Sequence, residues 1–196
     1  SAASITGNAI TGNGATNGGG LDLYSTSGIA SNNTIVGNTA NSASGYGGGI
    51  YSYSASTILD TNILAQNRAY NGGGAYSQYS TPKLYNNRAY ANTATNVAGG
   101  FGLESVSGAL FVNNTSAGNN AGGGGAGVYF KNPSTTTMTN NIVASNQSGV
   151  LLSGGALTIK NNCVYGNTAY QYSGLTNPTG TNGNISVDPK LVDVVS

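Results

Sequence analysis

Seven times along the chain an asparagine is followed five residues later by another: Asn8 and Asn13, Asn33 and Asn38, Asn62 and Asn67, Asn87 and Asn92, Asn114 and Asn119, Asn141 and Asn146, Asn162 and Asn167. The first members stand 25, 29, 25, 27, 27 and 21 residues apart. A recurrence of that size marks a solenoid, in which each repeat buries its apolar face only against its neighbours.

Other columns keep the same register. Three residues before each first Asn stand Ile5, Ala30, Leu59, Leu84, Phe111, Met138 and Ile159, and two residues after it stand Ile10, Ile35, Leu64, Ala89, Ser116, Val143 and Val164. These two columns are the candidate core. Two residues past the second Asn comes a small residue: Ala15, Ala40, Ala69, Ala94, Ala121, Ser148 and Ala169. A glycine cluster follows, ending at Gly20, Gly49, Gly74, Gly100, Gly127 and Gly149. From there to the next apolar column the count is 10 or 11 residues, whereas the stretch from the second Asn to the last Gly runs 7, 11, 7, 8, 8 and 3. Length variation is thus confined to one loop per coil, and the loops are expected along one edge.

After each glycine cluster the residues alternate. Leu21 and Leu23, Ile50 and Ser52, Ala75 and Ser77, Phe101 and Leu103, Val128 and Phe130 point one way, while Asp22 and Tyr24, Tyr51 and Tyr53, Tyr76 and Gln78, Gly102 and Glu104, Tyr129 and Lys131 point the other. Period two means strand, and no amphipathic run of period 3.6 occurs. The expectation is an all-β chain: a right-handed parallel β-helix of about seven coils with three short strands per coil over residues 1–170, then a tail or lid over residues 171–196. If strands of successive coils stack about 4.8 Å apart, each Asn lies over an Asn and can pass its amide hydrogen bond from coil to coil. Asparagine also tolerates the left-handed backbone of a sharp corner.

The pattern of an apolar residue, two polar residues, Asn, any residue, an apolar residue, two more and Asn, as in Leu59 to Asn67, resembles the right-handed parallel β-helix of the pectate-lyase-like superfamily. Within it the chain is most similar to Gly- and Asn-rich repeats of bacterial secreted and cell-surface proteins. The tail Asn184 to Asp193, NISVDPKLVD, resembles the segment that follows such repeats. The resemblance implies the fold but spans lyases, hydrolases, adhesins and structural proteins. Lyases of the superfamily use calcium held by clustered acids and an arginine or lysine base.

The residues give little support to catalysis. Six cations and five carboxylates leave a net charge of +1, with 38% hydrophobic residues and no histidine. Nothing in that balance attracts nucleic acid or an anionic membrane. No apolar run reaches the length of a membrane span, and residues 1–10 do not read as a signal peptide. Without histidine, a histidine base, ligand or triad is excluded. Glycosidases need two acids about 5 to 9.5 Å apart, whereas Glu104 stands three coils from Asp22, about 14 Å along the axis. Neither Arg68 nor Arg88 has an acid cluster in the repeat map. Glu104 and Lys131 share a column and read as a surface ion pair. Cofactors and metals are expected to be absent, because a calcium β-roll needs an Asp in each repeat and only Asp22 follows a glycine run closely.

The lone Cys163 allows no internal disulfide and reads as a small residue under the tail. Five matches to the N-glycosylation pattern, at Asn32, Asn113, Asn114, Asn146 and Asn184, are what an Asn- and Thr-rich chain produces by chance. The thirteen tyrosines are more informative. Tyr51, Tyr76 and Tyr129 fall in one outward column and Tyr24 and Tyr53 in the next, a strip that either stabilises the sheet or offers an aromatic surface to sugar rings or protein. Two classes stay open: an extracellular structural or adhesive β-helix that self-associates end to end, and a carbohydrate-binding or carbohydrate-processing one.

Overall fold

The computed structural model describes residues 2–192, and Asp193 of the tail lies outside them. The described chain is built from strands without helix, and all paired strands are parallel. One coil shows the plan: Ile58–Asp60 joins the first sheet, Ile63–Ala65 the second, Arg68–Ala69 the third and Ala75–Gln78 the fourth. Three of the sheets have seven strands, and the third has five. The three expected strands per coil are present. The additional two-residue strand carries the small-residue column of the sequence, as in the pairing of Ala69 with Ala94.

Registers match the columns read from spacing. Leu59 lies between Ala30 and Leu84, and Leu64 between Ile35 and Ala89. Leu21, Ile50, Ala75, Phe101 and Val128 form the fourth-sheet column that faces them across the lumen. Phe111 sits edge-on between Phe101 and Phe130, with centroids 5.1 and 6.1 Å away. Each buried Leu, Ile or Phe of this core contributes about 1.5–3 kcal/mol of transfer free energy, gained only when the adjoining coil is present.

The corners carry strain in a place the spacing does not reveal. Left-handed backbone falls on the residue before each of the seven first asparagines: Gly7 with φ 71°, then Asn32, Thr61, Asn86, Asn113, Asn140 and Asn161 with φ between 54° and 58°. The ladder residues themselves are absent from that set, so the expectation that their backbone makes the corner is corrected. Their side chains do the structural work, while their predecessors turn the chain. The glycine cluster has its own cause: a Cβ at Gly73 would stand 2.7 Å from the carbonyl oxygens of Gly99 and Thr93, so the loop strands approach too closely for any side chain.

Residues 170–185 form a partial further coil. Tyr172–Ser173 extends the fourth sheet, and Ile185 bridges to Cys163 on the second. Cys163 is buried, and its Sγ lies 3.1 Å from the Val187 carbonyl, beneath the tail as its position suggested. No helix among the described residues is long and apolar enough to cross a membrane.

Candidate binding face

Two features concentrate side-chain chemistry: the asparagine ladders at the inner corners and the outward face of the fourth sheet. In the first ladder the Asn87 Oδ1 accepts both the backbone N–H and the Nδ2 of Asn62, each at 3.0 Å. Asn87 Nδ2 donates in turn to Asn114 Oδ1 at 3.0 Å and to the Leu59 carbonyl at 2.8 Å. The same arrangement runs from Asn8 through Asn33, Asn62, Asn87, Asn114, Asn141 and Asn162 to Asn184. Asn184 is a rung that the spacing missed, because no Asn follows it five residues later. The second ladder runs from Asn13 through Asn38, Asn67, Asn92, Asn119 and Asn146 to Asn167, where Gln171 Oε1 closes it at 2.8 Å. Such amides have their donors spent on the scaffold, and Asn114, Asn146 and Asn184 are buried.

The fourth sheet presents two outward columns in register: Asp22, Tyr51, Tyr76, Gly102 and Tyr129, and beside them Tyr24, Tyr53, Gln78, Glu104 and Lys131. The alternation is as the sequence indicates, but the exposure is not. Tyr51, Tyr76 and Tyr129 are buried, packed with Ala98 and against Tyr46, Val97 and Leu151. The loops after the second asparagine cause this. Tyr46, on the longest of them, lays its ring 5.4 Å from that of Tyr51 and 5.2 Å from that of Tyr76. Gly102 makes room in the same column, because a Cβ there would collide with the Tyr76 ring. What reaches solvent is Tyr24, 67% exposed, and Tyr79, 55% exposed, with the half-buried Tyr53 between them. Tyr24 and Tyr53 stack with centroids 5.4 Å apart and planes 5° from parallel, and Tyr79 meets Tyr53 edge-on at 5.6 Å.

Beneath the loops lies a polar network. Tyr51 Oη donates to Gln78 Oε1 at 2.9 Å, and Gln78 Nε2 donates to Glu104 Oε2 at 3.1 Å. Tyr76 Oη donates to the same carboxylate oxygen at 2.8 Å, while Lys131 Nζ sits 2.7 Å from Oε1. The Glu104 side chain is only 10% exposed against 43% for Lys131, so the expected surface ion pair is half-sunk and charge-assisted. Burial drives the Tyr51 hydroxyl far above the ordinary tyrosine range; for Tyr76, burial and the Glu104 charge together do the same. Hydrogen bonding to Glu104 raises the Lys131 ammonium. These groups are held in their neutral phenol and charged pair forms, an arrangement that fixes geometry rather than moving protons.

Other charged residues stay apart. Asp22 lies at the first strand of this face, and Asp60 is bonded to Thr61 and Asn86 on the first sheet. Among the described residues no three of His, Cys, Asp and Glu gather where a metal ion could be held. On the third sheet, Thr39, Asn41, Arg68, Tyr70 and Thr95 line an open groove of about 610 Å³.

Comparison with known proteins gives the fold a name. Residues 32–188 match the family model described as the right handed beta helix region, and the chain belongs to that family. No curated protein and no solved structure matches it.

Proposed function

We propose that this β-helix is a non-catalytic structural or adhesive element of the cell exterior, and that the edge of its first coil associates with another β-helix coil. That edge carries the reading. Asn8 Oδ1 and Asn13 Oδ1 receive no donor among the described residues, although the same atom of the buried rungs accepts two. Ile5 and Ile10 are half-exposed, whereas their counterparts Ala30 and Ile35 are fully buried. Every later coil uses this combination to hold its neighbour, and an unpaired strand edge is a template for another chain. The coil that docks can belong to a longer polypeptide or to a second molecule. At the opposite face residues 170–185 already supply the next rungs, so the association has one free side and yields a junction rather than an unlimited filament. The scattered acids and the structural use of Glu104 support a role without turnover. Light scattering across concentration, with electron microscopy of the same samples, tests the idea. Association that disappears in Ser4→Lys with Thr6→Lys is expected; association that survives both lysines defeats the reading, and a wild-type chain that stays monomeric assigns the docking coil to a longer polypeptide.

A second reading, carbohydrate binding, draws support from the groove around Arg68 and Tyr70, which combines an aromatic ring, hydroxyls, an amide and a guanidinium. Glycan retention that survives Tyr24→Ala with Tyr53→Ala but is lost in Tyr70→Ala would assign it to that groove.

A further inference from the structure

A run of tyrosine rings links the surface of the fourth sheet to its buried polar network without a gap. Tyr79, 55% exposed, meets Tyr53 edge-on with centroids 5.6 Å apart. Tyr53 lies 6.1 Å from Tyr51 on the same strand, and Tyr51 stacks on Tyr46 at 5.4 Å. Tyr46 in turn lies 5.2 Å from Tyr76. These spacings put neighbouring π systems in van der Waals contact. Electron exchange between rings falls off exponentially with the gap, so an unbroken chain of contacts lets charge move along it. The chain ends at a phenol whose partner is a base. Tyr76 is buried and its Oη donates at 2.8 Å to Glu104 Oε2, whereas Tyr51 Oη donates to the neutral amide of Gln78.

We propose that Tyr79, Tyr53, Tyr51, Tyr46 and Tyr76 form a relay that carries a one-electron oxidising equivalent from the surface to Tyr76, with Glu104 as the acceptor of the Tyr76 proton. At rest the bond between Tyr76 and Glu104 only fixes geometry, because burial and the Glu104 charge hold the phenol in its neutral form. Loss of an electron turns the phenol into a strong acid, and the carboxylate is already within reach of proton transfer. The electron leaves Tyr76 through Tyr46, Tyr51, Tyr53 and Tyr79 to a one-electron oxidant at the surface, of the class of a peroxidase ferryl haem. The proton moves from Tyr76 Oη to Glu104 Oε2. A neutral phenoxyl radical and a neutral carboxylic acid remain, and the positive charge rests on Lys131, 2.7 Å from Oε1 and 43% exposed. No unpaired charge is therefore created in the interior. Tyr51 has no such proton acceptor and passes the equivalent on. Burial keeps the Tyr76 radical from the rings of other molecules, so the equivalent is stored instead of being consumed in dityrosine bonds between surface rings.

Flash photolysis of tris(bipyridine)ruthenium(II) with persulfate supplies the oxidant for the test, below the concentration at which light scattering detects association. Rapid-freeze electron paramagnetic resonance reads the radical, and fluorescence reads dityrosine. The wild-type chain should give a long-lived tyrosyl radical with one rigid hyperfine pattern and little dityrosine. Tyr76→Phe, Tyr46→Phe and Glu104→Gln should each lower the long-lived yield about tenfold or more and raise dityrosine, while Tyr85→Phe on the first sheet should change neither. Tyr46→Phe keeps the ring in place, so its result stands whether or not Glu104→Gln disturbs the network, and near-ultraviolet circular dichroism before oxidation verifies the packing of each variant. An unchanged radical in Tyr76→Phe, an undiminished yield in Tyr46→Phe, or a wild-type chain that gives only dityrosine overturns the proposal.

Discussion

The asparagine ladders and the tyrosine strip are both columns of like residues repeated from coil to coil, yet they behave differently. A ladder rung sits at a corner of the lumen, where its amide meets the same partners in every coil, so the first column runs from Asn8 to Asn184 and the second from Asn13 to Gln171 without a break. The strip lies outside the wall, where what covers it depends on loops of unequal length. Its middle is sealed by Tyr46 and Ala98, its start is open at Tyr24, and Gly102 and Leu151 interrupt it. A buried polar column must be satisfied at every step, whereas an outer column is free to vary.

The widest separation between the two should appear in paired substitutions. Asn87→Ala strands the Asn62 backbone N–H and one Asn62 amide hydrogen, which together should cost about 3 to 5 kcal/mol in urea unfolding. A loss below about 1 kcal/mol would show that water or a shifted rung replaces the amide. Gly102→Ala comes next, with an expected cost of about 1 to 3 kcal/mol as the Tyr76 ring is forced off Glu104. Its signature would be an easier ionisation of Tyr76 in the ultraviolet titration.

Asn86→Ala, adjacent to the ladder but at the left-handed corner, should cost about 1 kcal/mol, the strain of a side chain without Asn's local compensation. Comparing it with Asn87→Ala in one denaturation series separates the turning residue from the bonding residue. Tyr24→Ala should change stability by about 0.5 kcal/mol or less, as expected for an exposed ring.

Alkaline pH offers the gentlest comparison, without mutation. The buried phenols of Tyr51 and Tyr76 and the hydroxyl of Tyr172, pushed up to about 12, remain protonated in the folded chain after unfolded tyrosine, near 10, has begun to ionise. The unfolded state then binds fewer protons, so stability contributed by these groups is complete below about pH 10 and falls as pH rises beyond it. Folded protein whose tyrosines all ionise together near pH 10 would contradict the burial of the strip.

Most of the coil plan could be read from spacing, because columns such as Leu59, Leu64 and Ala69 must recur for the coils to stack at all. The burial of Tyr51 and Tyr76 could not. It depends on Tyr46, which sits in the variable loop, where period carries no information. The corner lies one residue earlier than expected although its column does carry a letter: Asn32, Asn86, Asn113, Asn140 and Asn161 each stand directly before a ladder Asn, and the five-residue spacing draws attention to the second asparagine of each doublet alone. Asn184 escaped because its rung comes from a partial coil that lacks the second asparagine.

The identity of the ladder bonds from one coil to the next bears on how such a chain changes length over time. Each coil hands its successor the same donors and acceptors, so excising residues 62–86 would bring Asn87 under Asn33 in the bonds that Asn62 now makes. The joint would fall at an outer corner, after the left-handed Thr61. Whole coils can thus be gained or lost by unequal exchange between repeated stretches of the coding sequence with the register intact, whereas an insertion of a few residues survives only in the loop that precedes the glycines. The tolerance of the gene to copy-number change is set by two columns of amides.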